Sequence, residues 1–146
     1  MIRPAVITAG LALLAACSGG LDPTVADRIV VGTWGGENAG MVVNDSVAHV
    51  HVGCTYGNFQ LPAAFDQAGR FEASGEYLLR AYPVAVGPTM PARIEGTLFR
   101  DQLTFTVTVN DTIAKTIVVV GPATVTHGRE PKLGPCPICA VVPALR

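Results

Sequence analysis

The fold of this chain is decided by the stretch LTFTVTV at residues 103–109. Its apolar residues alternate with threonines, and this period of two is typical of a β-strand with one buried face. The preceding segment Arg93–Phe99 alternates in the same way. A turn around Asp101-Gln102 predicts a hairpin with Leu98 opposite Phe105, because both apolar faces then lie on the same side of the sheet. A register shifted by one residue would separate them.

Outward from this hairpin, short apolar segments alternate with turn signals in both directions. DQAG at residues 66–69 has the Asp and the Gly that a type I turn favours at its first and fourth positions. The prolines of Pro83–Pro91 predict a loop, because proline interrupts strand pairing. Further strands are predicted at Met41–Val43, Val47–Cys54, Phe59–Phe65, Arg70–Arg80, Ile113–Val120 and Ala123–His127.

Together these strands predict an all-β domain. About eight short strands joined by tight turns favour a small antiparallel meander closed into a barrel, and a two-sheet β-sandwich is the alternative. Gly75 and Gly96 lie inside predicted strands, where glycine suits the sharp bends of a barrel. The barrel is predicted over residues 29–128, and a tail rich in proline and cysteine follows over residues 129–146.

Composition and charge limit the classes of function. The 130 residues after residue 16 carry nine basic and 11 acidic side chains, with no basic patch, so nucleic acid is not an expected partner. The sequence contains no Gly-x-Ser-x-Gly, Ser-x-x-Lys, His-Glu-x-x-His or phosphate-binding loop. We therefore expect neither catalytic residues nor a cofactor.

The N-terminal residues have the pattern of an export signal. Residues 1–16 combine one basic residue, Arg3, with an apolar stretch that is too short to span a membrane. LAAC at residues 14–17 resembles the lipobox of bacterial lipoproteins. This resemblance implies that the Cys17 sulfur receives a diacylglyceryl group and that the chain is cleaved before Cys17. Stable attachment takes two or more acyl chains.

The residues after the lipobox suggest how the domain is held. Residues 17–28 comprise the lipidated Cys17 and a segment rich in Ser and Gly, which predicts a flexible tether. In proteobacterial lipoproteins, an Asp directly after the cysteine favours retention in the inner membrane. Because Ser18 occupies that position here, the resemblance implies attachment to the outer membrane, on its periplasmic or surface face, if the host is Gram-negative.

A second resemblance begins at GTW, residues 32–34. Lipocalins carry Gly-x-Trp on their first strand, and Trp34 is the single tryptophan of this chain. The resemblance implies that Trp34 closes one end of the barrel. WGG at 34–36, CTYG at 54–57 and DQAGRF at 66–71 are similar to segments of small bacterial lipoproteins of unknown function. That second similarity implies a barrel and a lipid anchor but no activity.

The thiols that remain after lipidation of Cys17 number three, and an exported chain is expected to form a disulfide. One arrangement pairs Cys54 with Cys136 or Cys139 and so attaches the tail to the barrel. The alternative joins Cys136 to Cys139 and leaves Cys54 reduced. CPIC at residues 136–139 has the spacing of thiol–disulfide oxidoreductases, but no helix pattern follows it, so we do not expect redox catalysis.

His49 and His51 are two residues apart on a predicted strand, so their side chains share a face. With Cys54 and the CPIC segment they offer nitrogen and sulfur ligands of the kind that bind zinc. Cys54 would lie on the opposite face of a regular strand, however. The sequence therefore predicts two surface histidines and no metal site.

These observations favour a lipid-anchored protein of the bacterial cell envelope that acts as a non-catalytic binding or structural module. Its expected partners are the membrane, through the N-terminal lipid, and an envelope protein. The first alternative is a lipocalin-like carrier of a small apolar ligand. The second is a thiol or metal-binding module that uses Cys54, Cys136 and Cys139.

Overall fold

The computed structural model describes residues 28–82 and 85–136. Eight antiparallel strands close into a barrel, each paired with its neighbours along the chain. The predicted meander barrel is confirmed, and the β-sandwich alternative is wrong. Among the described residues no helix is long and apolar enough to cross a membrane. The strands are β1 (Gly32–Gly36), β2 (Ala39–Val43), β3 (Val47–Val52), β4 (Thr55–Gln60), β5 (Arg70–Leu78), β6 (Met90–Phe99), β7 (Gln102–Asp111) and β8 (Thr116–His127).

Several sequence-based predictions concern residues outside these ranges. The signal peptide of residues 1–16, the lipidated Cys17, residues 18–27 of the predicted tether, and the part of the predicted tail that contains Cys139 all lie outside the described residues.

The LTFTVTV stretch of residues 103–109 lies within β7. The four apolar residues of β7 are buried, as predicted, and the threonines between them point outward or lie at the surface. On β5, Phe71, Ala73 and Tyr77 face the same core. The largest fully buried side chains are Trp34, Tyr77, Phe59, Phe105, Met41, Met90, Ile94 and Leu103.

The register of the β6–β7 hairpin differs from the prediction. Leu98 lies opposite Leu103 rather than opposite Phe105, which instead faces Gly96. The loop consists of Arg100 and Asp101, and Arg100 has a left-handed φ of 60°. Because Gly, Asn and Asp are the usual residues of such tight turns, Arg100 gave no signal. The shift is an even number of residues, so the inward faces stay as predicted.

Several strand boundaries also differ. The predicted strand over Phe59–Phe65 is wrong, because β4 begins earlier and ends before the cis peptide bond between Leu61 and Pro62. In β3 the last residue is Val52, and Gly53 and Cys54 form the turn to β4.

On the C-terminal side, β6 begins inside the predicted Pro83–Pro91 loop, at Met90. The two strands predicted at Ile113–Val120 and Ala123–His127 are one, β8. The register shifts at Gly121 and Pro122, because these two residues of β8 lie opposite the single residue Thr106 of β7. The predicted turn at residues 66–69 is confirmed, since the Gly69 amide donates to the Asp66 carbonyl over 3.0 Å.

The strands are short in the first half of the barrel and long in the second. β1 to β4 have five or six residues each, whereas β5 to β8 have nine to twelve. The barrel closes between its first and last strands, where β1 pairs with β8 at two positions, Trp34 with His127 and Gly35 with Thr126. The other residues of β8 extend past the end of β1, and the outward-facing Ile117 and Val119 remain exposed.

Candidate functional site

The interior of the barrel is occupied by its own side chains. Phe59, Tyr77 and Phe105 are buried at 1% exposure or less, and the rings of Phe59 and Tyr77 lie 6.3 Å apart. The Tyr77 hydroxyl forms a hydrogen bond of 2.9 Å with the Thr55 hydroxyl, and burial raises the pKa of Tyr77. Gly75 and Gly96 leave no free space either, because a Cβ at either position would meet Phe59 or Phe105.

A groove of about 680 Å³ lies on the outside, across β5, β6 and β7. Its lining includes Phe65 and Gly96 together with the carboxylates Glu72 and Glu95. The groove is open to solvent. This groove therefore lies at the surface of the barrel rather than in its interior.

Trp34 lies in the core at the position where β1 pairs with β8. Its side chain is 1% exposed, and its indole N–H donates to the Val30 carbonyl over 2.9 Å. The ring of His127 packs edge-on against it, with centroids 4.9 Å apart. Sequence reasoning did not identify His127, because the pairing of β1 with β8 joins residues more than 90 positions apart.

Cys54 and Cys136 form a disulfide with their Cα atoms 5.5 Å apart. The predicted attachment of the tail to the barrel through Cys54 is thus confirmed with Cys136 as the partner, and the alternative that leaves Cys54 reduced is wrong. Cys54 therefore cannot serve as a free thiol or thiolate ligand in this structure. The disulfide lies at the β3–β4 turn, at one end of the barrel.

The tail reaches this disulfide by running along the outside of β1 and β2. Its backbone pairs with that of β1, since the Lys132 amide donates to the Gly36 carbonyl over 3.0 Å; directly before the tail, the Gly128 amide donates to the Thr33 carbonyl. The Asn38 amide in turn donates to the Lys132 carbonyl over 2.9 Å. Lys132 also donates from Nζ to the exposed carboxylate of Glu37 over 2.8 Å, and this hydrogen bond lowers the pKa of Glu37.

Two glycines leave room for the tail. A Cβ at Gly35 would meet the backbone of Arg129 and Glu130, and a Cβ at Gly40 would lie 2.6 Å from the Cβ of Pro131. Both positions face outward from the barrel. The close approach of the tail explains the glycine at position 35, directly after the Gly-x-Trp motif.

A buried carboxylate lies at one end of the four longer strands, β5 to β8. Asp111, at the end of β7, is 3% exposed and accepts a hydrogen bond of 2.6 Å from Arg80. The amides of Ile113 and Ala114 also donate to it, over 3.0 and 2.9 Å. The Arg80 hydrogen bond and these amides lower the pKa of Asp111. The sequence contained no signal for this pair, because its members are 31 residues apart.

The two histidines of β3 share an outward face, as predicted, and Ala48 and Val50 point into the core. The Nε2 atoms of His49 and His51 lie 3.0 Å apart, and His49 Nδ1 lies 2.7 Å from the Asn58 Oδ1 on β4. Tyr56 packs beside both rings, at centroid distances of 5.8 and 5.2 Å. Both histidines are half-buried rather than fully exposed.

The hydrogen bonds assign the protons of this pair. The Asn58 oxygen only accepts, so His49 carries its proton on Nδ1 and presents a lone pair at Nε2. His51 then donates from Nε2. Burial is the main cause that lowers the pKa of His51, and repulsion from His49 in its doubly protonated form lowers it further. Within residues 28–82 and 85–136, no three side chains of His, Cys, Asp or Glu come together as a metal site.

Comparison of the chain with protein-family models, with curated protein sequences and with solved structures finds no match.

Proposed function

We propose that this protein is a lipid-anchored module of the bacterial cell envelope that acts through the outer surface of a solid barrel. The observation that carries this proposal is the filled interior, in which the aromatic side chains of Phe59, Tyr77 and Phe105 take the space that a carrier would leave for its ligand. An eight-stranded barrel is just wide enough for side chains to fill. The same observation argues against a carrier of a small apolar ligand.

The attachment part of the proposal rests on the resemblance of LAAC at residues 14–17 to a lipobox. Lipidation of Cys17 would place the domain on a short tether at a membrane, on the exported side. An oxidising compartment is also where a disulfide such as Cys54–Cys136 persists. The disulfide supports a structural role for these two cysteines, which hold the tail against β1 and β2, rather than a redox role.

The deciding experiment expresses the full chain and the variant Cys17→Ala in a Gram-negative bacterium, then separates membrane and soluble fractions. We expect the full chain in the membrane fraction and the variant outside it or unprocessed. Cys139→Ala makes the same chemical change away from the lipobox and is the matched control. If Cys17→Ala remains membrane-bound and normally processed, lipid attachment through Cys17 is excluded.

Native mass spectrometry of the same samples tests the solid barrel. We expect the mass of the polypeptide with its acyl groups and no further bound molecule. An additional apolar ligand that survives transfer to the gas phase at one copy per chain would favour a carrier instead.

A further inference from the structure

The outer face of β3 places two imidazole nitrogens where a metal ion would hold them. His49 and His51 present Nε2 atoms 3.0 Å apart, with ring centroids separated by 4.8 Å. If the two rings pointed directly at each other, the distance between their centroids would be the 3.0 Å between the nitrogens plus two ring radii. That distance would be longer than the observed 4.8 Å. The ring axes are therefore bent with respect to the line between the nitrogens, and both rings rise from the same face of one strand.

We propose that His49 and His51 bind a divalent transition metal, with Cu(II) as the preferred ion. A metal about 2.0–2.1 Å from each nitrogen would see the two nitrogens at an angle of roughly 95°. This angle is close to the right angle between adjacent ligands of a square-planar or tetragonal site, the geometry that Cu(II) and Ni(II) favour. Tetrahedral zinc would need the nitrogens to separate to about 3.3 Å.

One hydrogen bond that would support such a site is already formed. A histidine that binds a metal commonly donates its other ring N–H to an acceptor, which fixes the tautomer and the ring orientation. His49 does so, because its Nδ1 lies 2.7 Å from the amide oxygen of Asn58. Its Nε2 lone pair is thus free for a metal without any change of tautomer.

His51 requires one proton to move. Without metal it donates from Nε2 to His49, so metal binding places its proton on Nδ1 instead. Both imidazoles stay neutral through this exchange, and the net charge changes only by that of the ion. The hydrogen bond between the rings is replaced by two bonds to the metal.

Open space adjoins the pair on the side of His51. A surface pocket of about 310 Å³ lies beside His51 and is bounded by Gly53, Tyr82 and Leu133. Because no third His, Cys, Asp or Glu of the described residues joins the pair, water or an oxygen ligand from solution would complete the coordination sphere. The Irving–Williams order favours Cu(II) over the other divalent first-row ions.

The test titrates the full processed protein in detergent with Cu(II) and, separately, with Zn(II). We expect one Cu(II) per chain, bound more tightly than Zn(II), with an electron paramagnetic resonance spectrum showing hyperfine coupling to two imidazole nitrogens. His49→Gln and His51→Gln should each abolish this spectrum. Asn58→Ala should weaken Cu(II) binding by about 10- to 100-fold, since it removes the amide oxygen that accepts the hydrogen bond from His49 Nδ1.

His127→Gln is the matched control, because it makes the same change at the third histidine of the chain. Circular dichroism must show that all variants keep the barrel. We expect His127→Gln to bind Cu(II) like the unchanged protein. The proposal is overturned if the folded double variant His49→Gln/His51→Gln still binds one Cu(II) with the same spectrum, or if the unchanged protein binds none at a one-to-one ratio.

Discussion

The two halves of this barrel differ in how they are held together. β5 to β8 are long strands whose hairpins pair over eight or more positions, whereas the hairpins of β1 to β4 pair over five or six. β1 to β4 are short, and their closure against β8 rests on two residue pairs. The longer half is thus stabilised by local hairpins, whereas the shorter half depends on contacts with a distant part of the chain.

The tail supplies those contacts. It forms backbone hydrogen bonds with β1 and the β1–β2 turn, packs on Gly35 and Gly40, and is joined to Cys54 by the disulfide at Cys136. The longer half has a different fastening at its end, the hydrogen-bonded pair of Arg80 and Asp111. The comparison of the two halves thus indicates that short strands can form one side of a barrel when another segment of the chain, here the tail, packs on them and is linked to them covalently.

The largest expected effect comes from removing the disulfide. Cys54→Ser opens a link between residues 82 positions apart, which in the chain-entropy model lowers the free energy of unfolding by about 4–5 kcal/mol. Chemical denaturation measures the total. Hydrogen exchange should show the greater loss of amide protection in β1 to β4. Cys139→Ser is the control and should leave stability unchanged; equal loss of protection in both halves would remove the distinction between them.

A smaller effect is expected where the tail crosses β2. In Gly40→Ala the new methyl group meets Pro131, and overpacking of this kind costs roughly 1–3 kcal/mol. Thermal unfolding measures the change. Val42→Ala, on the same outward face but 53% exposed, should change stability by about 0.5 kcal/mol or less.

The double variant Gly40→Ala/Pro131→Gly sharpens this test. It should recover part of the loss, because it removes the atoms that the methyl group meets. A Gly40→Ala variant as stable as the unchanged protein would mean that the tail does not pack closely on β2.

The smallest effect is expected at the end of the longer half. Arg80→Met removes the main cause of the lowered pKa of Asp111, while the two backbone amides still donate to the carboxylate. Arg80 is also 37% exposed, so solvent screens part of the interaction. We therefore expect a modest loss of stability at neutral pH.

The lowered pKa of Asp111 determines how the effect of Arg80→Met on stability changes with pH. A carboxylate whose pKa is lower in the folded than in the unfolded state adds stability above its ordinary pKa, about 3.9 for Asp, and loses it as the pH falls through the folded value. Denaturation from pH 7 downward should thus show a stability difference between Arg80→Met and the unchanged protein that shrinks in acid. A difference that stayed constant would exclude this origin.

The sequence predicted the features that arise from neighbouring residues. The alternation at residues 103–109 and along β5 placed the core faces correctly, because a strand exposes every second side chain to the same side. The turn at residues 66–69 was predictable for a similar reason, since Asp and Gly there satisfy the local backbone. The shared face of His49 and His51 followed from their spacing alone.

Other features required the folded chain. Arg100 takes a left-handed conformation that its residue type does not favour, so the hairpin register was predicted two residues away from its actual position. The packing of His127 on Trp34 depends on how β8 meets β1. The 3.0 Å separation of the two Nε2 atoms depends on Asn58 of the next strand, which orients His49.

By itself the sequence determined the all-β class, the inward faces and a cysteine pairing with the tail as one of two alternatives. Only the tertiary structure decided the register, the choice of Cys136, the filled interior and the grouping of His49, His51 and Asn58. The physical reason is the range of the interactions. Periodicity and turn preference act over a few residues, whereas barrel closure joins segments that are far apart in the chain and whose positions depend on all the strands between them.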